Sequence, residues 1–202
     1  MLTLYHAPQS RSSRIIRLID ELGIMDKIDI EIVTIPRQDG SGGRDPKNPH
    51  PEGKVPLLLH NGVEIWETPA IILYLTDLFP DAGFAPTIGD PKRGTYLSWL
   101  AYYGDVVEPV LVCQAAGLEH PYLSATFRDM PAVADRLSHA LSQCPFLLGD
   151  TFTAADLLLS SPFTWFPEAT PDVPAIRNWV GRCEAQPSAE RLIAFESKAM
   201  AG

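Results

Sequence analysis

The sequence has few cysteines and no arrangement of them that predicts a metal or redox site. Cys113, Cys144 and Cys183 lie far apart, form no C-x-x-C pair and do not cluster with the five histidines. This spacing argues against a disulfide scaffold and against a zinc site. The N-terminal half has no cysteine, so a redox-active thiol in that half is excluded. We interpret the three cysteines as buried thiols in a reducing cytoplasm.

The chain also lacks a basic excess and a long apolar run. Its 25 acidic and 16 basic residues give a net charge of −9, which argues against general affinity for nucleic acid or for anionic membranes. No apolar run approaches the ~20 residues that cross a bilayer. The N-terminus, MLTLYHAPQSR, has no cationic segment of the kind that opens a signal peptide. We therefore expect a soluble cytoplasmic protein whose partner is a small molecule or a protein.

The first 80 residues carry an α/β pattern. Period-two and apolar runs alternate there with helical spacing, and a polar loop with four Gly and four Pro separates two groups of elements at 36–53. A strand, a helix and a strand in succession imply a parallel crossover. The predicted elements, in order, are strand 2–6, helix 12–22, strand 29–35, strand 57–60, strand 63–66 and helix 69–79.

One short stretch, 52–75, combines a turn, a hairpin and a helix start. Asn61-Gly62 supplies the positive-φ positions of a tight hairpin turn. Thr68 is predicted as the N-cap of the following helix, with Pro69 at its first position. A helix N-terminus suits a bound carboxylate, Glu67 suits an amino group, and a cis Val55-Pro56 bond would turn the Val55 backbone towards an extended peptide. The alternative is that Pro56 merely starts a strand and Thr68 merely caps a helix.

After Phe79 the pattern changes to helices only. The predicted domains are residues 1–80, a linker at 81–90 and an all-helical domain at 91–202. Thr153 is expected to cap a helix, with Asp156 bonding back to its N–H and Phe152 packing on Leu157. The predicted helices of this domain are 92–118, 122–143, 153–166, 173–185 and 188–200.

Several motifs together resemble a bacterial cytosolic glutathione transferase, and the resemblance covers nearly the whole chain. They are Asn48-Pro49, Gly53-Lys54-Val55-Pro56, Glu67-Thr68 and the 146–159 segment FLLGDTFTAADLLL. The resemblance implies a thioredoxin-like N-terminal domain with a four-stranded mixed sheet, followed by an all-helical domain that shapes a pocket for a small apolar electrophile. It also implies glutathione as co-substrate, no metal, and a homodimer formed through the third and fourth helices.

The activity implied is conjugation of the glutathione thiolate to an electrophile. A free thiol has a pKa of ~8.5, and one charge-assisted hydrogen bond with a helix N-terminus is enough to lower it by about two units. The candidate hydroxyls are Ser10, Ser12, Ser13 and Tyr5. The resemblance points to the serine-type members of the family, and we predict Ser10 first and Ser12 second, with Arg11 as a positive neighbour. The alternative is that these serines are ordinary helix caps.

Seven further residues are predicted to bind glutathione on the basis of the resemblance: Gln9, His50, Lys54, Val55, Pro56, Glu67 and Thr68. Two alternative functions stay open. The same thiolate could serve a glutathione-dependent isomerase or dehalogenase, or the fold could belong to a binding or regulatory protein without catalytic activity. Disulfide reduction is the least favoured function, because residues 7–14 contain no cysteine.

Overall fold

The computed structural model describes residues 1–201 and contains a four-stranded sheet and helices. The regular elements are β1 (Leu2–His6), α1 (Ser13–Glu21), β2 (Ile28–Ile32), β3 (Leu57–His60), β4 (Val63–Trp66), α2 (Thr68–Leu78), α3 (Arg93–Tyr102), α4 (Glu108–Ala115), α5 (Pro121–Phe127), α6 (Met130–Ala140), α7 (Ala154–Trp165), α8 (Pro174–Glu184) and α9 (Pro187–Ala201). Within the described residues, no helix is both long and apolar enough to cross a membrane.

The sheet is mixed, in the strand order β2-β1-β3-β4. β1 runs parallel to β2 and antiparallel to β3, and β3 runs antiparallel to β4. This arrangement confirms the predicted parallel crossover and antiparallel hairpin. Asn61 and Gly62 both have positive φ, 51° and 83°, as a two-residue type I′ hairpin turn requires.

Helix α1 lies against the sheet through an apolar face. Ile15, Leu18 and Ile19 are completely buried, as is Leu4 of the central strand β1. Their i, i+3, i+4 spacing on α1 places them on one side of the helix. This packing fixes the turn between β1 and α1, which carries the predicted serines.

The start of α2 differs from the prediction. The helix begins at Thr68 and not at Pro69, and Glu67 is its N-cap, with φ of 67° and ψ of 124°. Thr68 is therefore the first helical residue, so the prediction of Thr68 as the N-cap was wrong. Sequence preference favours Thr as a cap and Pro at the next position, but here Pro69 occupies the second position of the helix.

The chain forms two compact units, and the last helix belongs to the first of them. One unit contains Met1–Ala82 together with α9, and the other runs from Gly83 to Gln186. The predicted boundaries placed α9 in the helical domain. Arg191 of α9 makes a bidentate ion pair with Asp20 of α1, at 2.6–2.9 Å. Arg17 of α1 donates to the hydroxyl of Ser188 at 2.9 Å. The boundaries of independently folding domains stay a prediction.

Two long helices that the sequence predicts are interrupted in the second unit. The predicted 92–118 helix contains a π-helical segment at Tyr103–Val107 between α3 and α4. The predicted 122–143 helix is divided into α5 and α6, because Arg128 has a φ of 70° and Asp129 caps α6 by accepting from the Ala132 N–H. The helical spacing of apolar residues continues across both interruptions, so the sequence pattern did not show where the helices break.

The predicted capping box at the start of α7 is confirmed. The Thr153 N–H and hydroxyl both donate to Asp156 Oδ2, at 3.1 and 2.8 Å. The fully buried Asp156 also accepts from the Leu147 N–H at 2.8 Å and the Trp179 Nε1–H at 2.9 Å. Burial raises the pKa of Asp156, and these hydrogen bonds act in the opposite direction. The contact between Phe152 and Leu157 stays a prediction.

Candidate functional site

The turn between β1 and α1 gathers three serine hydroxyls in a nearly dry environment. Ser12 and Ser13 are buried, and Ser10 is 7 % exposed. Gln9, with φ of 54°, gives the turn its sharp bend and is exposed together with Arg11. Among the predicted catalytic serines, Ser10 is thus the one that retains an edge at the surface, while Ser12 supports it from inside.

A chain of hydrogen bonds joins Ser10 to a buried histidine. Ser10 Oγ lies 2.7 Å from Ser12 Oγ, which lies 2.8 Å from His6 Nδ1. The Ser12 N–H donates to Ser10 Oγ at 3.2 Å, and the Ala7 N–H donates to Ser12 Oγ at 3.2 Å. His6 has no exposed surface, and burial lowers its pKa to about 4. His6 is therefore not exposed to a ligand, and the Ser12 hydroxyl connects its ring to Ser10.

A carboxylate from α9 holds the same turn. Glu196 Oε1 accepts from the Gln9 N–H at 3.1 Å and from the Ser13 hydroxyl. It also lies 3.6 Å from His6 Nε2, beyond hydrogen-bond distance. Two donors of the turn are thereby satisfied by one side chain that is 11 % exposed.

The carbonyls of the turn have their own partner. Arg37, in the loop after β2, donates to the Pro8 carbonyl at 2.7 Å and to the Gln9 carbonyl at 3.1 Å. Glu196 thus accepts from an N–H of this backbone segment, and Arg37 donates to its carbonyls. An N–H and two carbonyls of the backbone next to Ser10 are thereby hydrogen-bonded to side chains.

The second predicted segment, 48–56, is organised by a buried asparagine. Asn48 donates its side-chain amide to the Lys54 carbonyl at 3.0 Å and accepts from the His50 N–H at 3.1 Å. The Val55-Pro56 peptide bond that follows is cis. Pro56 is buried, Val55 and His50 are half-buried, and Lys54 is exposed.

The predicted site residue Lys54 responds to the charges of two others, Glu67 and Arg11. The pKa of Lys54 is raised, chiefly by its hydrogen bond and ion pair with Glu52 at 2.5 Å. Glu67 also raises the pKa of Lys54, and Arg11 lowers it. Lys54 therefore lies within electrostatic range of both Glu67 and Arg11, although the three are separated along the chain.

The N-terminus of α2 presents polar groups. Glu67 is exposed and Thr68 is buried at the first position of the helix. The Ile71 N–H bonds to the Glu67 carbonyl at 3.0 Å, and Pro69 has no N–H to offer. The N–H groups of the first turn that do not bond back within a helix can serve a bound anion.

Two domain models of one family match the chain. The N-terminal domain of glutathione S-transferase matches residues 4–83, and the C-terminal domain matches residues 109–187. Together they cover more than half of the sequence. The chain belongs to the glutathione transferase family.

Individual relatives agree with this assignment at low identity. Glutathione S-transferase U21 of Arabidopsis thaliana is 24% identical over 159 residues, which are 70% of this chain and 71% of the relative. A glutathione S-transferase structure from Actinobacillus pleuropneumoniae superposes with a TM-score of 0.81 at 24% identity, covering 98% of this chain and 93% of the other. A sphingomonad glutathione S-transferase in complex with glutathione gives 0.74 at 25% identity, covering 96% and 98%.

The family's fold, a thioredoxin-like domain followed by helices, is the one predicted. Sequence reasoning did not predict Glu196 and Arg37, which bind the backbone of the serine turn. Tyr5, the fourth hydroxyl candidate, alternates with the buried Leu4 and His6 along β1. It lines a groove with Thr3 and Asp29 on the other face of the sheet, which separates it from the serine turn. Among residues 1–201, no group of three or more His, Cys, Asp or Glu could hold a metal ion.

Proposed function

We propose that this protein is a serine-type glutathione transferase that conjugates the glutathione thiolate to a small apolar electrophile. The observation that carries the proposal is the Ser10 hydroxyl, which lies just before α1 in a residue that is 7 % exposed, while Ser12 and Ser13 behind it are buried. A hydroxyl in this position can donate to a sulfur anion. The sphingomonad relative was solved with glutathione, which supports the choice of thiol.

The energetics of this arrangement match the chemistry. Lowering a thiol pKa from ~8.5 by two units requires ~2.7 kcal/mol of preference for the anion. A hydrogen bond to a charged group contributes ~1.5–3 kcal/mol, and a helix N-terminus adds ~0.3–1 kcal/mol. Ser10 at the N-terminus of α1, with Arg11 as its exposed cationic neighbour, is sufficient for this shift.

The other predicted residues are assigned to the glutathione backbone. Val55 pairs its main chain with the extended tripeptide, and Glu67 and Thr68 at the start of α2 bind its charged end groups. Lys54, His50 and Gln9 supply further polar contacts to glutathione. Pro56 restricts the backbone at Val55. The proximity of Arg11, Lys54 and Glu67 supports a single binding region.

The test is a pH titration of the ultraviolet thiolate absorbance of bound glutathione in wild type and Ser10→Ala. We expect a bound-thiol pKa well below ~8.5 in wild type and a rise of about one to two units in the variant. Ser98→Ala is the matched control, since it removes a hydroxyl that bonds only within α3, to the Gly94 carbonyl. Binding with an unshifted pKa in wild type would contradict catalysis and favour a binding or regulatory protein.

A second part of the proposal concerns assembly and compartment. The family resemblance implies a homodimer in the cytoplasm, and exposed apolar side chains on the third and fourth helices, Leu97 and Val112, support a second copy as their partner. Light scattering should give the mass of a dimer. Leu97→Glu together with Val112→Glu should give a monomer, and a monomeric wild type would contradict this part.

A further inference from the structure

His6 is a buried titratable group beside the serine turn, and the proposed function does not use it. It is completely buried at the end of β1, and a single hydroxyl, that of Ser12, connects its Nδ1 atom to Ser10. All of these residues belong to the first compact unit. A buried histidine two hydrogen bonds from the reactive hydroxyl is placed to control the direction of those bonds.

The protonation of His6 is limited to two arrangements. Burial lowers the pKa of the ring to about 4, so it is neutral near pH 7 and carries one ring proton. That proton lies on Nδ1, facing Ser12, or on Nε2, facing Glu196 Oε1 at 3.6 Å. The two tautomers differ in what the Ser12 hydroxyl must do.

The hydrogen bonds of the two serines leave little freedom. Ser12 Oγ accepts from the Ala7 N–H, and Ser10 Oγ accepts from the Ser12 N–H. Each hydroxyl then has one lone pair and one proton left. The distance of 2.7 Å between the two oxygens requires that one of these protons lies between them.

With the proton on His6 Nδ1, the ring donates to Ser12. The lone pairs of Ser12 Oγ are then filled, so its proton bonds to Ser10 Oγ at 2.7 Å in preference to the Ala7 carbonyl at 3.2 Å. Ser10 now accepts twice, and its own proton is directed away from the turn. Ser10 is a donor in this state, which is what a thiolate needs.

With the proton on His6 Nε2, every bond in the chain reverses. Ser12 donates to Nδ1, and Ser10 donates to Ser12. Ser10 then offers only a lone pair to a ligand, which suits a neutral thiol and repels a thiolate. The tautomer of His6 therefore decides whether Ser10 can stabilise the anion.

The surroundings of Nε2 favour the first state. In the described part of the chain Nε2 has no hydrogen-bond partner, and Glu196 Oε1 already accepts from the Gln9 N–H and the Ser13 hydroxyl. With the proton on Nδ1 the ring's N–H is hydrogen-bonded to Ser12 Oγ, whereas a proton on Nε2 would be attracted by the Glu196 carboxylate at 3.6 Å but would lie beyond hydrogen-bond distance of it. Nδ1, in contrast, has Ser12 at 2.8 Å.

We propose that His6 is a positioning residue that keeps its proton on Nδ1 and, through the Ser12 hydroxyl, makes Ser10 a hydrogen-bond donor to the bound thiolate. This inference rests on the proposed function, in which Ser10 stabilises glutathione as an anion.

The first test reads the tautomer directly. Long-range ¹H–¹⁵N correlation spectra of the ¹⁵N-histidine-labelled wild type, with glutathione bound above the bound-thiol pKa, should show His6 protonated at Nδ1 and bare at Nε2. The spectrum of His6→Leu assigns the signals by the loss of one set. Protonation at Nε2 in the thiolate complex would overturn the inference.

The second test measures the consequence on the thiol. In His6→Leu, which cannot donate to Ser12, the pKa of bound glutathione should rise by about one unit, a tenfold loss of thiolate at a pH below it. His6→Asn, whose amide can donate to Ser12, should recover part of the shift. Binding of S-methylglutathione, which has no thiol proton, should change less than twofold in both variants, by our estimate.

The matched control is His60→Asn. His60 Nδ1 also bonds to a hydroxyl, that of Tyr74 at 2.6 Å, but it lies on β3 away from the serine turn. Its variant should leave the bound-thiol pKa unchanged, and an equal rise in both variants would show a general effect of histidine loss and overturn the inference.

The two levels of failure can be told apart. If wild type does not lower the thiol pKa, the proposed function and this inference both fail. If wild type lowers it and Ser10→Ala raises it while His6→Leu leaves it unchanged, the proposed function stands and His6 has no positioning role. If His6→Leu does not fold, the spectrum of His6→Asn assigns the signals instead, and the tautomer measured in wild type still decides.

Discussion

Each compact unit contains a buried cluster of hydroxyl and carboxylate groups. The two clusters have similar residue types but differ in whether every donor and acceptor has a partner. The turn cluster consists of His6, Ser10, Ser12, Ser13 and Glu196, and the cap cluster of Leu147, Thr153, Asp156 and Trp179. In the cap cluster a single carboxylate accepts four hydrogen bonds, and the hydroxyl of Thr153, a residue 7 % exposed, uses its proton on that carboxylate. In the turn cluster Ser10 has the same exposed fraction, 7 %, but its hydroxyl retains one proton or lone pair for a ligand.

This difference in pairing indicates a structural role for the cap cluster and a functional role for the turn cluster. A buried polar cluster whose donors and acceptors are all paired stabilises the native state and has no capacity left for binding. A cluster with one unassigned position at the surface can bind a ligand, and the rest of the cluster fixes the direction of that bond. The same residue types therefore indicate a cap at α7 and a candidate active site before α1.

The largest effect should come from removing the centre of the cap cluster. Asp156→Ala leaves the Leu147 N–H, the Trp179 Nε1–H and the Thr153 N–H buried without acceptors. Each such donor costs ~1–3 kcal/mol, so the free energy of unfolding should fall by at least ~3 kcal/mol. Urea unfolding measures this loss.

Asp156→Asn, which keeps one acceptor oxygen, should lie between wild type and Asp156→Ala. Under conditions in which all three proteins are folded, the thiol pKa of bound glutathione should be the same in each, because the cap cluster does not contribute to the candidate site. A loss of less than ~1 kcal/mol in Asp156→Ala would show that the cap cluster is not the stabilising centre described above.

The two clusters should respond to pH with opposite signs. The pKa of His6 is lowered from 6.5 to about 4, so the unfolded chain binds more protons between these values and stability falls as the pH falls. The loss between pH 7 and pH 5 should be about 2 kcal/mol. The pKa of Asp156 is raised by burial, so its contribution weakens as the pH rises through the folded-state value.

The measurement compares wild type with His6→Leu by urea unfolding at pH 7 and pH 5. Contributions from Asp156 and from surface groups are common to both proteins and cancel in the difference. The variant should be less sensitive to acid by about 2 kcal/mol. Identical pH dependence in the two proteins would mean that His6 is not held neutral by burial.

The smallest effect is expected at the edge of the cap cluster. Thr153→Ala removes a hydroxyl that donates to Asp156 but leaves the Thr153 N–H in place, so stability should fall by only ~1 kcal/mol. Glutathione affinity and the bound-thiol pKa should not change. A Thr153→Ala variant with normal thermal stability but slower conjugation would show that Thr153 belongs to the catalytic site. The two clusters would then not differ in role.

Local patterns predicted most of the secondary structure. The strands β3 and β4 have the predicted bounds, and β1 and α1 agree to within about one residue, because the Asn-Gly turn and helical spacing act over a few residues. The capping box at Thr153 was also readable from four consecutive positions. Less was predictable at the start of α2 and at the π-helical segment in 103–107, where tertiary packing overrides local preference.

Local sequence patterns alone predicted the α/β then all-helical order, the hairpin, the Thr153 capping box and the serines around the start of α1. The environment of those serines depends on the tertiary structure. Glu196 lies 187 positions along the chain from Gln9, and Arg37 lies 28 from it, so no periodic pattern connects them. Periodicity reports which face of an element is buried, whereas hydrogen-bond direction depends on which distant groups the folded chain brings within about 3 Å.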